Sequence, residues 1–188
     1  VLEEIPMAAL MIPPIEVDSK HYRNMLEAAE TRQIPVQQVT AGASWKLGET
    51  TVKALAPGST ALSTNDENES SIVLMLEHGS FRMLLMADAQ TVSENEMIDR
   101  GMDLKADVIK IGHHGSNEAT GTALLNAVSP KAALISTGEK EGEILPSPRL
   151  LTRLQQFRVT VYRTDLDGTL LVRSDGASYE IITDSNGA

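Results

Sequence analysis

The stretch that decides the fold is ADVIKIGHHGSNEAT, residues 106–120. The apolar, β-branched run through Val108, Ile109 and Ile111 predicts a short buried strand, which stops abruptly at Gly112, two histidines and a second glycine. The chain has only four histidines, so an adjacent pair at a strand end calls for a reason. Exposed turns at the ends of rigid strands are where scaffolds carry functional side chains. Lys110, between Ile109 and Ile111, faces the other side of the sheet from both by alternation.

Working outward, the pattern repeats. Residues 71–76 (SIVLML) and 81–87 (FRMLLMA) predict two further buried strands joined by a turn at 77–80, the second ending at Asp88. A helix is expected at about 91–100, another at about 121–128, a strand at 132–136, a helix at about 148–156 and a strand at 159–163. The chain closes on a hairpin, residues 168–183, with Asp175-Gly176 where a tight turn wants it. Nearer the start, a strand at 8–12 stops at Pro13-Pro14. A helix capped by Ser19 then runs over 20–32 with Tyr22, Met25, Leu26 and Ala29 on its core face. Short strands follow near 35–39 and 51–57, and residues 58–70 read as a polar loop. Strands alternating with helices over 188 residues predict one α/β domain, 1–188, with antiparallel character added by the late hairpin.

Composition narrows the chemistry. There is no cysteine, which excludes disulfides, thiolate zinc sites and a cysteine nucleophile, so any metal must sit on histidine and carboxylate. A net charge of −10 argues against broad, tight binding to a phosphate backbone. With 41% hydrophobic but 3% aromatic residues, the core must be aliphatic and methionine-rich. No apolar run approaches the roughly 20 residues of a membrane span, so a soluble chain is expected. The opening VLEEIPMAAL has acids where a basic leader would sit, so no signal peptide is expected, and the chain reads as a piece of something longer.

Two strand ends carry the candidate chemistry: Asp88, and His113 with His114. Imidazole and carboxylate are the donors that zinc, manganese or iron sites use when cysteine is absent. A carboxylate can bridge two cations that together steady a phosphoester in flight. Ser116 and Asn117 could bind a phosphate or cap the helix beginning near Thr120. His21 reads as a surface or cap residue, His78 as a solvated turn residue and Lys110 as structural. The acidic DENE, residues 66–69, reads as a solvated loop, and TDLDG, 164–168, has spaced acids before a glycine.

The ordered succession ADVIKIGHHGS, VSPKAALIS and VYRTDLDGTLLV resembles the C-terminal metallo-β-lactamase-like domain of the ComEC competence family. Asn68-Glu69-Ser70-Ser71 before a strand is similar to that family's Asn-x-x-Ser, and LLMAD to its LLTGD. The resemblance implies an αββα sandwich with a dinuclear metal site at one edge of its two sheets. It also favours TDLDG, 164–168, as a turn into the final strands, a minor role near the substrate face staying open. It implies that Asp88 bridges zinc or manganese ions and that the histidine turn gives one ligand. His114 is taken as that ligand, with His113 and Ser116 facing the substrate phosphate, the reverse roles of the two imidazoles staying open. It further implies a DNA phosphodiesterase attached to the membrane channel of the same polypeptide, acting on single- or double-stranded DNA at the extracytoplasmic face of a bacterial cell membrane.

Three departures qualify this. The superfamily's HxHxDH motif is absent, and residues 1–12 resemble the segment that follows it, so an N-terminally truncated sandwich without most of its ligands is expected. Ala87 stands where the family has glycine, and Leu145 before Pro146 where it usually has histidine. The chain as it stands is therefore expected to be inactive. The alternatives are a degenerate, non-catalytic docking domain or a hydrolase of small, phosphocholine-type phosphodiesters.

Overall fold

A computed structural model describes residues 4–138 and 144–184. In chain order the elements are β1 (Leu10–Ile12), α1 (Lys20–Thr31), β2 (Val36–Gln38), β3 (Ser44–Leu47), β4 (Thr50–Ala56), α2 (Ser59–Ser63), β5 (Val73–His78) and β6 (Phe81–Leu85). They continue with α3 (Thr91–Asp99), β7 (Val108–Lys110), α4 (Thr122–Val128), β8 (Ala132–Ile135), α5 (Pro148–Gln156), β9 (Thr160–Arg163), α6 (Thr164–Asp167), β10 (Leu170–Ser174) and β11 (Tyr179–Thr183). A single 3₁₀ turn, His113–Gly115, follows β7.

Seven strands form one sheet in the order β3-β4-β5-β6-β7-β8-β9. Neighbours are antiparallel from β3 to β6 and parallel from β6 to β9. The change of direction follows from the connections: tight turns join the early strands, whereas parallel neighbours need a crossover, which α3, α4 and α5 supply. Strands buried on both faces read as continuous apolar runs, as β7 and β8 do.

One face packs on helices. Leu84, Met86, Ile109, Ile111, Ala133 and Ile135 bury there against Met97 of α3, Leu124 and Leu125 of α4, and Leu150 and Leu154 of α5. The other face buries Phe81, Val108, Ala132 and Leu134 under the β10–β11 hairpin, through Leu170, Val172, Tyr179 and Ile181. The layers are thus helix, sheet and a second, two-stranded sheet. β1 and β2 form a separate parallel pair. Lys110 lies opposite Ile109 and Ile111, as the alternation requires.

Several expectations need correction. Residues 58–70 are not all loop, because α2 occupies Ser59–Ser63. Its five residues are too few to show helical periodicity, and its first amides are satisfied from afar: Glu96 of α3 accepts from Thr60 N and Ala61 N at 3.0 and 2.9 Å. DENE is not wholly solvated, since Glu69 is buried and accepts from Val92 N and Ser93 N at the start of α3. Ser116 and Asn117 do not cap α4. The amides leading into it, Thr120 N and Gly121 N, donate to the buried Glu94. TDLDG is a one-turn helix rather than a plain turn. β3 is an additional edge strand, mostly exposed and so without a hydrophobic signature. His78 is not solvated in a turn: it ends β5 and lies under Gly176, with its side chain one-quarter exposed. His21 is exposed, as expected.

Candidate functional site

The parallel register brings the carboxyl ends of β6, β7, β8 and β9 to one edge: Leu85 pairs with Lys110, Lys110 with Leu134, and Ile135 with Arg163. Such ends are where open α/β sheets place their ligands. The exits carry Asp88, then His113 and His114, then Ser136 and Thr137, then Thr164.

The first two exits are tied together. His113 N donates to Ala87 O at 3.0 Å, and a β-carbon on Gly112 would stand 2.8 Å from Ala89 O. Asp88 N donates to Ser71 Oγ at 3.2 Å, which gives the Asn-x-x-Ser residue a role in holding the aspartate turn. Ala87 (φ 49), His113 (φ 45) and His114 (φ 53) all lie in the left-handed region. For residues with a β-carbon this costs roughly 1–2 kcal/mol each, and backbone strain of this kind gathers at functional sites.

Asp88 and His114 meet. The imidazole Nε2 stands 3.8 Å from Asp88 Oδ1, while Nδ1 lies 2.8 Å from Ser136 O. A carbonyl oxygen can only accept, so Nδ1 carries a proton and Nε2 is the ring nitrogen that faces the carboxylate. A carbonyl on the far ring nitrogen is the usual support of a metal-binding histidine. Two donors on one ion with bonds of about 2.1 Å stand about 3.4 Å apart at a tetrahedral angle, so small movements would suffice. Both side chains are about half exposed. In kind and geometry the pair fits a divalent ion, but among the described residues no group of three or more histidine and acidic side chains is placed to hold one.

The other expected residues surround this pair without joining it. His113 Nδ1 is buried and has no hydrogen-bond partner. Ser116 N donates to His113 O, and Ser116 Oγ accepts from Glu118 N at 3.3 Å. Asn117 Oδ1 accepts from Arg153, whose guanidinium also holds Ala119 O and Thr120 O. Leu145 flanks the turn, since its carbonyl accepts from Thr137 Oγ1 and the adjacent Pro146 lies against Gly115. Burial holds the Lys110 ammonium below the usual lysine range, opposed by the Asp88 carboxylate, so this half-buried cation acts electrostatically on the site. An open cleft of about 860 Å³ lies elsewhere, between α2 and α3, lined by Thr60, Asn95 and Glu96 among others.

Nothing in the residue pattern singles out Ser136 or Thr137, and Thr164 stands out only as the first residue of TDLDG. Their contributions run through backbone groups and a hydroxyl, which leave no mark in a residue pattern.

No model of a known protein family matches the chain. It is 32% identical over 164 residues to ComE operon protein 3 of Bacillus subtilis, covering 87% of the chain and 21% of that protein. It is 34% identical over 106 residues to competence protein ComA of Neisseria gonorrhoeae, covering 56% of the chain and 15% of that protein. It is 32% identical over 133 residues to recombination protein 2 of Haemophilus influenzae, covering 71% of the chain and 16% of that protein. The chain thus spans at most 21% of the length of these relatives. Among solved structures, two of the β-hydroxylase CmlA, one described as a diiron enzyme from Streptomyces venezuelae, superpose with TM-scores of 0.56 and 0.54. They cover 93% of the chain and 39% and 40% of those chains, at 14% and 13% identity, a likeness that shows the fold. The chain is a metallo-β-lactamase-fold domain homologous to one segment of the ComEC competence proteins.

Proposed function

We propose that this chain is the phosphodiester-binding and part of the metal-binding half of a DNA hydrolase domain in a competence protein. The observation that carries the reading is the His114 imidazole, fixed through Nδ1 by Ser136 O and facing Asp88 across 3.8 Å. Asp88 and His114 would hold a divalent ion, zinc or manganese, whose chemistry is to polarise a phosphoester and lower the pKa of water. His113 and Ser116, on the same turn, would orient a phosphate of the DNA substrate. With only these two donors among the described residues, the chain by itself would hold an ion weakly and would not hydrolyse DNA. The full ligand set needs donors these residues do not supply. In the parent protein the domain would act beside a membrane channel, at the extracytoplasmic face. Among the described residues no helix is long and apolar enough to cross a membrane.

A second reading, a non-catalytic docking domain, is favoured by Leu145 and by the lack of a third donor among the described residues. One titration separates the two. Mn²⁺ added to ¹⁵N-labelled chain should broaden resonances around Asp88 and His114 first. A short single-stranded oligonucleotide should then shift His113 and Ser116 only when the ion is present. Asp88→Asn should abolish both effects. No localised broadening, or oligonucleotide shifts indifferent to the ion, would overturn the hydrolase reading in favour of docking.

A further inference from the structure

The hydrogen bonds beyond the end of β8 single out a residue that neither the strand pattern nor the donor set suggests. Pairing between β8 and β9 ends at Ile135 with Arg163. One residue later the sheet no longer fixes the peptide joining Ser136 to Thr137. Thr164, the first residue after β9, takes over. Its hydroxyl accepts from Thr137 N at 2.8 Å and donates its single proton to Thr137 O at 2.6 Å. Ile135 O, at 3.5 Å, is too far to compete for that proton.

The consequence is geometric. Ser136 C=O and Thr137 N–H belong to one planar, trans peptide unit and point in opposite directions. Pinning the N–H on one side therefore aims the carbonyl on the other, and that carbonyl receives His114 Nδ1 at 2.8 Å. Thr137 is also tied down through its own hydroxyl to Leu145 O at 3.2 Å. We infer that Thr164 is a positioning residue for His114: through one peptide plane it sets which imidazole nitrogen bears the proton and where the other points. The inference deepens the metal-site reading above and rests on His114 Nε2 being a donor.

The test reads the tautomer, not activity. In metal-free protein with ¹⁵N-labelled histidine, at about pH 8 where imidazole is neutral, His114 should appear as the Nδ1–H form. His21 serves as an exposed reference. Thr164→Val keeps the shape and removes both hydrogen bonds. It should move His114 toward the Nε2–H form that free histidine prefers, and weaken Zn²⁺ binding about tenfold, the lower end for losing such outer support. Thr164→Ser should restore both.

A folded Thr164→Val protein with His114 still in the Nδ1–H form would overturn the positioning role alone. An Nε2–H form in the unaltered protein would overturn the metal-donor reading together with it. Should the valine variant not fold, the unaltered protein still decides: the Thr137 amide should exchange at least about a hundredfold more slowly than that of exposed Gly138, and equal rates would overturn the inference.

Discussion

Gly115 lies so close to Pro146 that a β-carbon on the glycine would stand 2.6 Å from the proline Cβ and 3.1 Å from its Cα. The glycine is also in the left-handed region, at φ 86. Two separate constraints, backbone sign and space, therefore exclude a side chain where the histidine turn meets the residues before α5.

Gly115→Ala should destabilise the chain by roughly 2–5 kcal/mol, combining the left-handed penalty with overpacking against a buried proline ring. For a chain of this size that is a fall in melting temperature of about 5–15 °C. Gly138→Ala is the control. Among the described residues nothing lies within 4 Å of its β-carbon position, and its effect should stay within about 0.5 kcal/mol. Thermal unfolding of the two variants side by side gives the answer.

Glu94 carries a pH signature. Burial is the main cause that raises its pKa above the ordinary 4.5, aided by Glu69 and opposed by the Gly121 and Thr120 amides and by Arg153. The folded state therefore holds the proton to higher pH than the unfolded chain does. This contribution to stability is complete below about 4.5 and is lost as pH rises through the folded value. The difference in unfolding free energy between the unaltered chain and Glu94→Gln should be flat below that window and fall across it. Urea melts at a series of pH values measure it, and a difference independent of pH would remove the assignment. Asp107, whose pKa is lowered by Lys131 and Arg82 against an opposing burial effect, acts in the opposite sense and only below 3.8.

Glu69→Ala should cost about 2–4 kcal/mol, because it strands Val92 N and Ser93 N at the start of α3 and removes two charge-assisted hydrogen bonds. Glu69→Gln should cost less, since its carbonyl can still accept one bond while its amide opposes the other donor. Chemical denaturation of both variants distinguishes loss of a cap from loss of packing.

The sheet and its helices were legible because each strand from β5 to β8 is an apolar run that gives way to glycine or aspartate within three residues, and α5 begins at a proline. Asp88 and the histidine pair stand out for the same reason, since strand ends announce themselves, but which imidazole faces Asp88 is not legible, and it is His114 that lies 3.8 Å from it. What stayed hidden is long-range. Nothing local to Gly58, Gln90 or Gly121 caps the helix that follows it, so the residue pattern carries no sign of α2 and points to Ser116 and Asn117 for the start of α4. The true caps are 23 to 36 residues away in sequence. Thr164 was hidden likewise, by a partner 27 residues distant.

Those remote caps have a further consequence. α3 receives one carboxylate, from Glu69, and gives two, Glu94 to the approach to α4 and Glu96 to α2. If α3 opened, the leading amides of all three helices would lose their acceptors at once. These three helices, α2, α3 and α4, are therefore built to open as one cooperative unit rather than to fray one by one, and the aspartate turn that enters α3 shares that all-or-none character.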